Sequence, residues 1–164
     1  MLTKIISGGQ TGADQGGLYG AKASGIETGG WMPKGWKTWT GPNPTIAKFF
    51  HMSEHKSDKY PPRTYQNVKE SDGTLRVASD FNSRGEQCTL KAINNCGKNY
   101  FDVKYKFNKK MPDSETIDRV AFWVVTDNIN ILNVAGNREE TAPGIQEFTT
   151  NLIIGVYKTL RGEI

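Results

Sequence analysis

Glycine, glutamine, threonine and an acid crowd together near the start of the chain, in Gly8-Gly9-Gln10-Thr11-Gly12-Ala13-Asp14. Glycine lets a backbone take positive φ and come close to a ligand. A helix beginning here offers unpaired N–H groups and the positive end of its dipole. Such a loop can give a phosphate two or three charge-assisted hydrogen bonds, with about 0.3–1 kcal/mol more from the dipole at an exposed site. The pattern matches neither standard phosphate motif. It has no Gly-Lys-Ser/Thr, and Ser7 stands where a dinucleotide fingerprint has its first glycine. The structural alternative is a tight strand-to-helix turn, with Asp14 in the first helical turn complementing the dipole.

Two other polar segments could share a site with this loop. Ser83-Arg84-Gly85, with Thr89 beyond it, is one; Arg138-Glu139-Glu140, inside the stretch GNREETAPG, is the other. Arg138 can grip a phosphate through two parallel N–H bonds. Glu139 can serve as a general acid or base, or steady a ribosyl cation during N-glycosidic cleavage, and a structural ion pair at a helix entrance is the alternative for both. Trp31, Trp36 and Trp39 interleave with Lys34 and Lys37. The rings could stack a base while the lysines meet phosphate, or they could anchor a long loop. Arg63 is a further basic residue expected at the same edge, and Glu27 stands loosely where an acid could bind ribose hydroxyls.

Other patterns exclude chemistry. His51-Met-Ser-Glu54-His55 has the H-x-x-E-H spacing of a zinc peptidase, but it lies in a polar, lysine-containing stretch and the chain has only two histidines. No metal site is expected. Cys88 and Cys96 lack C-x-x-C spacing and are expected to be reduced and structural. A net charge of +4 with acids interleaved among the bases suits a small anion and does not call for nucleic acid as partner. No run approaches the roughly 20 apolar residues that cross a bilayer, and no secretory apolar region follows Met1, so a cytoplasmic location is expected.

The elements that must position these residues can be traced from hydrophobic periodicity. Strands are expected over 4–7, 26–28, 74–78, 100–105 and 129–135, and helices over 13–24, 64–70 and 86–95. Asp113 and Ser114 start a helix with Ile117, Val120, Ala121 and Val124 on one face. Ile145, Phe148, Leu152, Val156 and Leu160 mark a terminal helix. Gly25 and Gly97 stop the helices before them. Alternating strands and helices predict an α/β fold: one doubly wound, mostly parallel sheet with helices on both faces. In such a sheet the loops 8–14, 79–86 and 136–144 all leave from the carboxyl edge, where ligands bind. Residues 1–164 are read as one domain. A long, proline-rich stretch at about 29–62 is read as a loop insertion that is either functional or structured in its own right.

Three stretches, SGGQTGADQGGLYGAKASGIETGGWMPKGW, RTYQNVKESDGTL and LNVAGNREETAPGI, resemble the family named "putative molybdenum carrier". That family belongs to a Rossmann-like nucleotide-binding superfamily with the circularly permuted YpsA-like proteins and the lysine-decarboxylase-like phosphoribohydrolases. The resemblance spans nearly the whole chain and is weakest in the middle, where Ser83-Arg84-Gly85 replaces a glycine-threonine loop. It implies a Rossmann-like domain, a homo-oligomer and a phosphorylated or nucleotide-like ligand. Molybdenum cofactor or a nucleotide would be that ligand, although the residues themselves require no cofactor. The matching positions are Gly8, Gly9, Gln10, Thr11, Gly12 and Asp14; Gly85 and Thr89; Asn133, Gly136, Arg138 and Glu139; and Asn67, Ser71 and Asp72. Asp72 falls at the opposite edge and reads as a turn residue or subunit contact. Binding is the leading reading. One alternative is N-glycosidic hydrolysis of nucleoside monophosphates with Arg138 and Glu139 catalytic, though the hydrolases' own glycine-rich motif is lacking. The other is a sponge for a cyclic or ADP-ribose-derived messenger.

Overall fold

Parallel strands buried on both faces make the centre of the molecule, and their order decides which loops meet. The structure, a computed structural model, describes residues 1–163. The central sheet contains β1 (Lys4–Ser7), β2 (Glu27–Gly29), β3 (Gly73–Ala78), β4 (Asn99–Lys104) and β5 (Ile131–Gly136). All neighbours are parallel, in the order β2-β1-β5-β3-β4. Every residue of β3 is buried, Thr74 and Arg76 included, as befits a strand covered on both sides.

The α/β architecture with helices on both faces is as the periodicity predicts. Helices α1 (Ala13–Ala23), α5 (Ser114–Thr126) and α6 (Ile145–Leu160) share the main core, where Ala21, Val120, Val124, Leu152 and Val156 meet Ile5, Leu75 and Leu132 of the strands. Helices α3 (Tyr60–Glu70) and α4 (Arg84–Cys96) close a separate small cluster of Val68, Ala92 and Ile93. The predicted α5 face is right: Val120, Ala121 and Val124 are buried. Helix α3 starts four residues earlier than periodicity suggested, because Pro61 lies in its first turn, where a missing N–H costs nothing.

The stretch from 29 to 62 is structured. Trp31–Met32 pairs in parallel with Ser53–Glu54, and Lys37–Thr38 pairs with Gly41–Pro42 in a small hairpin. Between them lies α2 (Pro44–Phe49), capped by the Asn43 side chain. Met32, Ala47, Phe50 and Met52 pack on Leu18 of α1, so the insertion has its own small core. Two-residue strands and a short helix lie below what periodicity resolves.

At the amino edge, the Asp72 carboxylate accepts from the backbone N–H of Asn130 (2.9 Å) and Ile131 (2.8 Å), which makes it a turn residue that sets the start of β5. At the carboxyl edge, Asn137 joins three loops. Its backbone oxygen accepts from Ala13 N at 3.1 Å and its N–H donates to Val77 at 3.1 Å. Its Oδ1 accepts from Ser79 N (2.9 Å), Ser79 Oγ (3.1 Å) and Asp80 N (3.2 Å), and its Nδ2 donates to the Asp80 carbonyl (3.2 Å). Gly12 is pressed against the same backbone at φ 88°, and a Cβ there would come within 2.6 Å of Glu139 N.

Two substitutions test this junction by urea unfolding. Asn137→Ala removes four side-chain hydrogen bonds at a buried position and is expected to destabilise the fold by about 2–4 kcal/mol. Gly12→Ala forces two backbones apart at a positive φ and is expected to cost about 1–3 kcal/mol. A change below about 0.5 kcal/mol in either variant contradicts the packing described.

Candidate functional site

A cavity of about 530 Å³ lies at the carboxyl edge between β3 and β5, whose following helices pack on opposite faces of the sheet. That is the crevice where doubly wound sheets bind ligands. One wall is the start of α4, where Ser83 Oγ caps the helix by accepting from Glu86 N at 3.3 Å; Arg84, Gly85 and Thr89 follow. A second wall is the start of α3, with Lys59, Tyr60, Arg63 and Thr64. Gly136, Asn137 and Arg138 close the third side, and Gln10 and Asp14 belong to the glycine loop.

The cavity is basic at its rim and acidic deeper in. Lys37, Lys59, Arg63, Arg84 and Arg138 line it against two carboxyl groups, Asp14 and Glu86. Arg63 reaches in because position 8 is glycine: a Cβ there would come within 2.8 Å of its Nε. Its Nη1 donates to Thr64 Oγ1 at 2.9 Å, and Nη2 stands 3.9 Å from Asp14. Arg138 stacks its guanidinium 3.5 Å over the Trp39 ring. The Nε atoms of both arginines are buried without a hydrogen-bond partner.

The glycine loop does something other than present bare amides. Gly9 N donates to Ser7 Oγ (3.2 Å), Gln10 N to Asp14 (3.2 Å), Thr11 N to Gln10 Oε1 (3.0 Å) and Gly12 N to Gln146 Oε1 (3.4 Å). Its anion is internal: the Asp14 carboxylate sits where a ligand phosphate was expected. Burial pushes Asp14 up to about 6, with Arg63 and the loop amides opposing the shift. The loop therefore positions Asp14 and Gln10, and Gln10 Oε1 also accepts from Trp39 N at 2.8 Å, holding the ring on which Arg138 rests.

Glu86 is the second buried acid. Only 2% exposed, it is pushed up to about 8 by burial, with Asp14, Asp102 and Asp80 adding to the shift and Arg76 opposing it. Arg76 is largely committed elsewhere. Its Nε and Nη2 bond the Asp102 carboxylate at 2.8 and 2.6 Å, and Nη1 donates to the Glu86 backbone oxygen at 3.3 Å. Nη1 stands 3.7 Å from Glu86 Oε2, which has no hydrogen-bond partner.

The other residues singled out from sequence are dispersed. Glu139 caps α6, accepting from Gly144 N (2.6 Å) and Gln146 N (3.0 Å), so both of its oxygens are engaged. Thr11 Oγ1 donates to Glu140 at 2.7 Å, tying the first loop to the last. Asn133 lies within the sheet and donates to Thr74 Oγ1 at 3.2 Å. Trp31 points to α3, its indole N–H bonded to Glu70 at 2.8 Å, and its backbone is held by Asn67. Lys34 is exposed, with its N–H on the Ser57 carbonyl. Glu27 pairs with Lys4 at 2.8 Å, and His55 Nδ1 accepts from Ser57 N. Trp39 does not line the cavity itself but touches it indirectly, through Arg138 stacked on its ring and Gln10 bonded to its backbone N–H.

Lys59, Tyr60, Glu86 and Asn137 were not visible as site residues. Glu86 carried one usable signal. The arginine inside the apolar run Thr74-Leu-Arg76-Val-Ala78 announces a buried charge that needs acidic partners, and Glu86 and Asp102 are those partners.

No curated protein matches this chain. Among solved structures, one titled "Putative molybdenum carrier protein", from Syntrophus aciditrophicus SB, is similar at a TM-score of 0.82 and 30% identity, covering 95% of this chain and 94% of that one. The family model described as "Circularly permutated YpsA SLOG family" matches residues 5–157, nearly the entire sheet and its helices, and the chain belongs to that family.

Proposed function

We propose that the chain binds a small phosphorylated, nucleotide-like anion in the carboxyl-edge cavity. The observation that carries this reading is the pair of guanidinium groups, Arg63 and Arg138, with buried and unpartnered Nε atoms beside it. A buried donor left unbonded costs about 1–3 kcal/mol, and an oxyanion supplies the missing acceptor. Lys37, Lys59 and Arg84 add positive charge, and the Tyr60 ring gathers two of the cations at the cavity, with Lys37 Nζ 5.1 Å and the Arg63 guanidinium 5.4 Å from its centre. The volume of about 530 Å³ suits a nucleoside monophosphate or a ligand of that size.

The name of the similar structure fits this chemistry. A molybdenum cofactor is a phosphorylated pterin, and Arg63 and Arg138 would hold its phosphate. No group of three or more His, Cys, Asp or Glu residues placed to hold a metal ion occurs among the described residues, so the protein would grip such a ligand by its anionic end. Cyclic and ADP-ribose-derived nucleotides present the same groups. Hydrolysis with Glu139 as acid has less support, since that carboxylate caps α6.

Native mass spectrometry of gently purified protein should show a small anion, and calorimetry with AMP, ADP-ribose and molybdate ranks the classes. Arg63→Ala and Arg138→Ala are each expected to weaken binding of the best of these probes by roughly tenfold to a hundredfold. Unchanged affinity in the double variant overturns the reading. Glu139→Ala is expected to lower unfolding stability by about 1 kcal/mol and to leave base release from AMP, followed by chromatography, no different from wild type. Base release by wild type that vanishes in this variant restores the hydrolase.

A further inference from the structure

We propose that the Glu86 side chain, held as a neutral carboxylic acid on the cavity wall, donates a hydrogen bond to the bound anion, so that ligand binding is coupled to retention of one proton. This rests on the anion-binding reading above and adds to it a specificity residue and a proton.

Four observations carry the inference. Glu86 lines the cavity yet is only 2% exposed, and its Oε2 has no hydrogen-bond partner. An unpartnered buried oxygen on a residue that lines a cavity calls for a partner, and an anion seated in that cavity can supply it. The cation nearest to it cannot neutralise it fully. Arg76 spends three of its N–H groups on Asp102 and on the Glu86 backbone, and its Nη1 stays 3.7 Å from Oε2, beyond hydrogen-bonding distance.

The surroundings favour the uncharged acid. Asp14 of α1, Asp80 of the loop after β3 and Asp102 of β4 all bear on Glu86, and Arg76 of β3 is the cation that opposes them. Arg63 of α3 pairs instead with Asp14, and Arg138 of the loop after β5 stacks on Trp39. An ionised Glu86 would therefore add one more negative charge to the wall against which an anion must lie. A neutral carboxyl removes that repulsion and supplies an O–H donor to a ligand oxygen. Burial pushes Glu86 up to about 8 and Asp14 only to about 6, so near neutral pH one acid is protonated and its neighbour is largely ionised.

The sign follows directly. Protonated Glu86 is the binding form, so affinity is full below about pH 8 and falls as pH rises through that value. AMP is a suitable probe, because above pH 7.5 its phosphate is already dianionic and contributes no titration of its own. Calorimetry between pH 7.5 and 9.5 is expected to show wild-type affinity falling toward tenfold per pH unit at the upper end. At pH 8.5, titrations in two buffers of different ionisation enthalpy are expected to reveal uptake of about 0.7 proton per AMP bound. Glu86→Gln keeps a neutral donor and is expected to bind AMP within about threefold of wild type at pH 7.5, with a flat pH profile and no proton uptake.

Wild-type binding without uptake overturns the inference while leaving the anion site standing. So does an equally steep pH profile in Glu86→Gln. The proton-uptake measurement needs only wild-type protein, so a variant that fails to fold does not protect the proposal. If AMP, phosphate and molybdate all fail to bind wild type at pH 7.5, the anion site itself is refuted and the proton coupling with it.

Discussion

Three loops of the carboxyl edge are held together through one residue, Asn137, and the rest of the site depends on that junction. Its backbone bonds join β3 to the start of α1, and its amide side chain fixes the turn after β3. Because Asn137 is buried, each of those groups would be costly to leave unsatisfied. Gly12 has to lie flat against the same backbone, which explains a glycine with positive φ at the head of α1. With the loops so fixed, Arg138 rests on Trp39, Glu139 closes the end of α6, and Glu140 reaches back to Thr11.

Charge in the site is arranged in two layers. Basic side chains from four segments line the rim, Lys37, Lys59 and Arg84 exposed and Arg63 and Arg138 half-buried, and two acids lie deeper. Asp14 accepts from the Gln10 amide of the glycine loop and faces Arg63 at 3.9 Å, serving as a built-in anion. Glu86 has no such service. Its ion-pair partner is engaged by Asp102, and one oxygen is left without a hydrogen bond. A folded protein keeps such a group at a cost, and the cost is reasonable where a ligand completes the bonding.

Much of the scaffold was legible because its signals are local. The small-residue helix after the first strand, the glycine stop of α4, and the apolar stripes of α5 and α6 all follow from spacing along the chain, while the Ser83 cap that starts α4 at Arg84 did not show there. The insertion was not, since its two-residue strands and short helix are stabilised by contacts with Leu18 rather than by a period of their own. In the site, the three loops were found by composition, but the roles inside them shifted. Glu139 looked like an acid catalyst and is a helix cap; Trp31 looked like a stacking platform and packs on α3.

By itself, the sequence determined the alternation of strands and helices, the parallel sheet and the polar loops of one edge, because hydrophobic period, caps and glycines act within a few residues. Only the tertiary structure decided which side chains face the cavity. Arg63 enters because residue 8, 55 positions away in the chain, has no Cβ, and Glu86 is left without a hydrogen-bonded cation because the sheet order sets Arg76 beside Asp102, which engages it. A carboxyl group's charge depends on its burial and on neighbours brought from distant segments, and strand order, which no local pattern encodes, chooses those neighbours.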